Sequence, residues 1–474
     1  QEGYFIHDVQ DSIYREWNEQ GNLSVEANYK KGVLDGIKKT YYGDGRSKAI
    51  EEYIDTICYV RQFWIPDSLH TQTLVDGNGE ATHYYHTGSI KEWYTYKNGL
   101  PDGEFLERSI YGHDRMRGNF IEGKKDGTWT YKYYTGALEK VVNYKNDKLN
   151  GKYQYFYDNK QVNVEGYYKD GLKQGEWMWY TKLGQRDMKG HFKEGMQDGK
   201  WTYWFPSGEL SYTANYKADK KTGSWNYFYK DGAKFKSGEY NNDQKHGLWE
   251  TWYENGKLLM TGEYAYGKEE GTWKNHWENG KLKNESSFKR GKLNGKWVSH
   301  YPTGKLRLTG EYKSGHKSGE WISFFENNRP KDIVNYKVVK KKSEVDYGPM
   351  KDHVVYESIK DGQTFSFSQK DYKKTEEGTY KNGEKDGTWT AFFPGGKYPA
   401  NTMDYKNGKL HGKVKEYDRK GAIITEIDYK DGLKHGKMKI YDKKGNVTIE
   451  RKFDRGERVI EGTKSGSGGF SPGR

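Results

Sequence analysis

The chain has 474 residues, of which 33% are hydrophobic, 16% aromatic and 31% charged, with 59 glycines, 9 prolines and a net charge of +13. Low hydrophobicity combined with many aromatics and glycines excludes the usual disorder signature and suits short strands joined by tight turns. The single Cys58 excludes an intramolecular disulfide and a cysteine-based zinc site, and no apolar run approaches the ~18–20 residues that span a membrane.

The chain opens QEGYF without an initiator Met, as expected of a processed product or a fragment, and a Gln start is expected of an exported envelope protein after signal removal. Residues 1–11 read as a lead-in, 12–460 as a repeat array and 461–474 as a flexible tail. Within the array, glycines recur at 24-residue intervals from Gly79 to Gly319, ahead of aromatic stretches such as GEWMWYTKLG (175–184) and GSWNYFYKDG (223–232). With that Gly as offset zero, the register continues through Ser12 and Gly36 on one side and Gln363, Gly387, Gly412 and Gly436 on the other, 17 units in all.

Each unit reads as a hairpin. In GLWETWYENGKLLMTGEYAYGKEE (247–270), Asn255-Gly256 signals a two-residue type I′ turn. Glu254 then faces Lys257, Tyr253 faces Leu258, Trp249 faces Gly262 and Gly247 faces Tyr264. The same arithmetic pairs Trp177 with Gly190, Trp201 with Ala214, Trp225 with Gly238 and Trp297 with Gly310, placing a large ring over a small residue inside each hairpin. By the same reasoning, Gly at offset zero lies under the aromatic at offset 17.

Strand alternation sends offsets 2, 4 and 6 to one face and offsets 3 and 5 to the other. The first face carries a structural ladder of Trp177, Trp201, Trp225, Trp249, Trp273, Trp297 and Trp321. On the second, mostly polar face offset 5 makes a stripe of Phe156, Tyr180, Trp204, Phe228, Trp252, His276, His300 and Phe324. Segments 54–78 and 337–362 interrupt the same connection in two units, so both are expected to project from one edge. The expected fold is all-β: an elongated, single-layer, twisted antiparallel sheet of tandem β-hairpins, solenoid-like in its stacking.

The recurring text, roughly GxWxxYYxNGxLxxxxxYKxGxxxG, resembles the MORN repeat, in the variant found in tandem in bacterial, often Bacteroidetes, proteins. The resemblance implies the same single-layer sheet with an aromatic-lined groove. It also implies a role among scaffolds, helix-binding grooves and lipid binders.

No catalytic or cofactor signature accompanies the repeat. His276 and His300 share a register in adjacent units, which separates them by roughly 10 Å, too far for one zinc ion; His411 and His435 fail in the same way. There is no nucleophile elbow, P-loop or dinucleotide fingerprint, so no catalytic, metal-binding or cofactor-binding residue is expected. An aromatic repeat of ~10 Å is too wide for consecutive bases, which argues against nucleic acid.

The reading is a non-enzymatic scaffold of the bacterial cell envelope, periplasmic or outer-membrane-associated, expected by analogy to serve as an accessory component of an outer-membrane or export complex. Its candidate partner-binding residues are Phe156, Tyr180, Trp204, Phe228, Trp252 and Phe324 of the stripe, with Trp64 and Tyr347 in the two interruptions. Two alternatives stay open. The stripe rings cover the turn ends of neighbouring hairpins, or the aromatic stripes bind a glycan or an anionic lipid surface.

Overall fold

The computed structural model describes residues 2–6, 9–342 and 354–460. Forty strands and, among the described residues, no helix make an open antiparallel sheet of tandem hairpins, the all-β repeat fold expected from the sequence. The chain divides into two units, Gln1–Ala233 and Lys234–Arg474, and the same hairpin recurs in each.

In Lys234–Arg474, strands Gln244–Trp252 and Leu258–Ala265 pair with Gly247 opposite Tyr264, Trp249 opposite Gly262 and Thr251 opposite Met260, the register read from the sequence. Near the tip the structure differs. Gly256 N–H donates to Tyr253 C=O (2.9 Å) and Tyr253 N–H to Lys257 C=O (2.9 Å), so the loop holds three residues, not two. Trp252, not Tyr253, stands opposite Leu258, across a register shift. Gly256 has a φ of 78° and Asn255 is not left-handed. The turn is therefore a three-residue loop with a glycine bulge, whose extra residue absorbs strand twist that a plain type I turn would not. In Gln1–Ala233 the same register sets Trp177 opposite Gly190 and Trp201 opposite Ala214.

Register opposition is not where the rings rest. A Cβ built on Gly262 would fall inside the ring of Trp273, not Trp249. Gly118, Gly166, Gly190, Gly238, Gly310 and Gly378 likewise meet Trp129, Trp177, Trp201, Trp249, Trp321 and Trp389. Each tryptophan thus seats on the glycine 11 residues earlier, in the preceding hairpin. A bulge is the cause. Between hairpins the register jumps from Thr261–Lys274 to Glu263–Glu270, so Gly262 stands opposite Gly271, Thr272 and Trp273 together. Gly271 opens the bulge with a φ of 66°, and a Cβ there would meet nothing within 4 Å. Offset zero needs glycine for this left-handed turn, not for a ring lying above it.

The seated tryptophan also ties the hairpins by hydrogen bonds. In many units its Nε1–H donates to the carbonyl beside that glycine, as from Trp177 to Tyr167 (3.2 Å), Trp249 to Glu239 (3.1 Å) and Trp389 to Thr379 (3.1 Å), though not from Trp201 or Trp321. At the turn edge a tyrosine hydroxyl reaches the next unit: Tyr157 donates to Tyr180 C=O (3.0 Å) and Tyr253 to His276 C=O (2.9 Å). At the opposite edge Gly195 N–H donates to Lys173 C=O (2.9 Å) and Gly267 N–H to Lys245 C=O (3.0 Å). Contacts of this nearest-neighbour kind are how a one-layer array stabilises itself without a second sheet.

The two interruptions are built differently. Segment 54–78 is woven into the sheet. Ile57–Trp64 pairs with Ser47–Ile54, then with the short Gln72–Val75, which leads to Asn78–Tyr84. Phe63 and Leu74 on these strands are fully buried, so the segment is a shortened repeat and does not project. In segment 337–362, Pro330–Lys342 and Val354–Phe367 continue as a two-stranded ribbon from Lys337–Ile359 to Lys342–Val354, past the last pairs that either strand makes with its other neighbour. That unit's offset zero is Gly362, opposite Tyr380, and not Gln363. The extra residue sits in the longer tip closed by Ser368 N–H to Lys373 C=O (2.8 Å).

Candidate interaction surfaces

The ladder face is a structural layer. Trp177, Trp201, Trp225, Trp249, Trp273 and Trp321 are buried, Trp297 is half-buried, and Trp129 and Trp389 extend the row in both directions. Edge-on rings flank them, as Tyr168 against Trp177 (5.1 Å) and Tyr264 against Trp273 (5.0 Å). A lysine two residues ahead of offset zero caps the indole in many units: Lys125 lies 4.3 Å over Trp129, Lys173 4.6 Å over Trp177, Lys245 4.8 Å over Trp249 and Lys385 3.8 Å over Trp389. Burial lowers the pKa of the Lys125 and Lys173 ammoniums and raises that of the Tyr203 phenol, whose ring stacks on Tyr212 at 4.0 Å.

Phe156, Tyr180, Trp204, Phe228, Trp252 and Phe324 are all half-buried, each the last strand residue before a turn. They are neither core nor free. Arg186 of the preceding unit lies 5.9 Å over Trp204, Lys234 lies 5.7 Å over Trp252, and Tyr180 donates its hydroxyl to Glu165 (2.9 Å). Trp64 falls at the same place in the shortened repeat. Its carbonyl accepts from Tyr42 (2.6 Å), the bond that marks this position elsewhere, and its ring stacks on His70 at 5.9 Å. Tyr347 lies outside the described residues.

Sequence reasoning passed over the hairpin tips. Leu69, Tyr111, Tyr134 and Leu183 are 85%, 84%, 81% and 82% exposed, all at turns within Gln1–Ala233. Tyr134 is held in place by Arg115, 3.7 Å over its ring. The signal was in the turn text: SIYG, YYTG and TKLG carry apolar residues where YENG and WENG of Lys234–Arg474 carry polar ones.

His276 and His300 are half-buried, and desolvation, with Lys274 second, lowers the His276 pKa. Among the described residues no group of three or more His, Cys, Asp or Glu side chains is placed to hold a metal. No helix among them is long and apolar enough to cross a membrane.

Seven segments match the MORN repeat variant: 125–146, 149–170, 197–218, 245–266, 269–290, 293–314 and 410–431. This is a MORN-repeat protein. Each matched MORN unit opens two residues before offset zero, so the bulge glycine, the tip and the offset-17 aromatic fall within one repeat. The match indicates a binding repeat and no enzyme family.

No curated protein matches the sequence. Among solved structures, the crystal structure of TcdB2-TccC3 is 11% identical, covers 94% of this chain and 27% of its own, and has a TM-score of 0.14. The Photorhabdus luminescens Tc holotoxin pore gives 11%, 94%, 28% and 0.13. Choline binding protein F from Streptococcus pneumoniae, solved with a peptidoglycan analogue, gives 14%, 57%, 93% and 0.15. This chain thus spans little more than a quarter of the first two, and scores this low carry no argument about function.

Proposed function

We propose that the MORN array is a non-enzymatic scaffold that binds a protein partner along the turn edge of Gln1–Ala233. The observation that carries this reading is a juxtaposition: Tyr134 and Leu183 are more than four-fifths exposed at the tips, beside the half-buried rings of Phe156, Tyr180 and Trp204. Ringed contacts with exposed apolar neighbours are what protein interfaces desolvate. The side chains of Tyr134 and Leu183 take no part in the hydrogen bonds and ring seats described above, which therefore do not require these positions to be apolar.

The test is a pull-down from native extract with the full chain as bait, followed by affinity measurement on the captured protein. Tyr134→Ser with Leu183→Ser is expected to leave the far-UV spectrum unchanged and to weaken capture by about 1–2 kcal/mol for each contributing side chain. Trp204→Ala with Phe228→Ala and Trp252→Ala tests the stripe in the same assay. Capture that survives both sets but is lost when residues 338–358 are replaced by Asp-Gly moves recognition to the ribbon.

An exported location, in the periplasm or at the outer membrane of a bacterial envelope, belongs to the same proposal, as does service to an outer-membrane or export complex. Fractionation decides the first, and recovery of the protein in the cytosol overturns it.

A further inference from the structure

Between Trp321 and Trp389 the ladder of Lys234–Arg474 lacks a rung. Thr364 stands two residues after Gly362, where the flanking units carry Trp321 and Trp389. Val334, 15 residues after Gly319, stands where Gly190, Gly238 and Gly262 provide the seat in their own units, and it pairs with Thr364. Beside it, Ser323 and Ser366 occupy the position that holds Tyr155, Trp179 and Tyr203 in the other unit. Losing those rings leaves a hollow of about 320 Å³ over Thr364, bounded by Trp321 and Trp389.

The hollow has two poles. On one side lies Asp332, whose Oδ2 accepts from Ser323 (3.0 Å) and whose Oδ1 accepts from Ser366 (2.9 Å). A carboxylate offers about four acceptor positions, so about two remain. On the other side lie Lys317, 5.3 Å over Tyr336, and Lys360, 4.8 Å over Tyr380. Neither has an ion-pair partner among the described residues. Tyr336 pairs with Lys360 and Asp332 with Ser366, which separates the poles by four residues, about 13 Å of strand. Glu376 also lines the hollow and stands 3.7 Å from Lys385.

Two carboxylates and two ammoniums leave the lining without net charge, so a charged ligand would satisfy one pole and oppose the other. A neutral hydroxylated ring satisfies both: its hydroxyls donate to Asp332 and accept from the lysines, while its C–H face rests on Val334. The volume lies at the low end of the roughly 300–1,000 Å³ of small-molecule sites, enough for one or two sugar rings. We propose that this gap in the ladder is a binding site for a neutral pyranose saccharide.

The probes are the methyl glycosides of glucose, galactose, mannose and N-acetylglucosamine, with glucosamine and glucuronic acid as charged controls. Binding to the full chain is read by saturation-transfer NMR and titration. At least one neutral glycoside is expected to bind saturably and to outcompete both charged sugars. Val334→Gly with Thr364→Trp rebuilds the rung on its glycine seat and is expected to abolish binding. Should that variant fail to fold, Lys360→Met, at a half-exposed position, is expected to weaken binding about ten-fold, as loss of one charged hydrogen bond does. Absence of saturable binding by every neutral glycoside, preference for a charged sugar, or unchanged affinity in a folded rung-restored or Lys360→Met protein overturns the proposal.

Discussion

Segments 54–78 and 337–362 interrupt the same connection of the repeat, yet one became part of the sheet and the other left it. The difference lies in what each can bury. The first offers ICYVRQFW and TLV, and its Phe63 and Leu74 reach 1% and 0% exposure among Ala49 and Ala81. The second offers KVVKKK, and its Val355 and Tyr356 remain 39% and 55% exposed. Pairing alone gives a ribbon; apolar residues that meet a neighbour's face turn a ribbon into a repeat.

The largest expected effect breaks the first segment. Phe63→Ala should cost about 3–5 kcal/mol, read as lost hydrogen-exchange protection across residues 47–84. Tyr356→Ala on the ribbon should stay within about 0.5 kcal/mol. Equal losses in the two segments would remove the distinction.

Next comes the ring seat that makes adjacent units cohere. Gly262→Val should cost on the order of 1–3 kcal/mol by unseating Trp273, with protection lost around 258–276. Adding Trp273→Ala should relieve the strain, whereas adding Trp249→Ala should not, so a double-mutant cycle identifies the partner ring. Coupling to Trp249 instead would refute the seating.

A smaller effect is expected from removing the ribbon. Lys337 opposite Ile359 and Tyr336 opposite Lys360 reproduce the pairs Lys169–Leu172 and Tyr168–Lys173, which an Asp-Gly turn closes. Replacing 338–358 by Asp-Gly should therefore leave stability within about 0.5 kcal/mol by denaturant titration. A cooperative loss of the flanking hairpins would show that the ribbon supports the sheet.

The smallest effect is a pH dependence beside the first segment. His83 packs edge-on to Phe63 at 5.1 Å, and burial, with Lys48 next, lowers its pKa below the ordinary 6.5. The unfolded chain takes up this proton first, so His83's contribution is complete above pH 6.5 and is lost as pH falls through the lowered folded value. Protection around Phe63 should decline in that window, and His83→Gln should flatten the decline. An unchanged slope in the variant would assign it to another group.

The stripe was legible only in part. Strand alternation separated Trp204 from Trp201, but a period of two says nothing of Arg186 reaching over from the preceding hairpin. The tips escaped because Tyr134 and Leu183 lie in turns, where neither period applies, and their exposure depends on how far each loop stands clear of its neighbours.

By itself the sequence determined the hairpins and their internal register up to the shift before each tip. Turn glycines and alternating apolar residues constrain each strand pair within 24 residues, and Trp249 duly stands opposite Gly262. Only the tertiary structure decided which glycine carries which ring. The bulge at Gly271 turns Trp273 back onto Gly262, and a bulge between hairpins changes a ring's direction without changing the pairing that sequence arithmetic counts. It likewise decided that 54–78 lies in the sheet while 337–362 extends beyond it, because burial depends on the neighbour each strand finds.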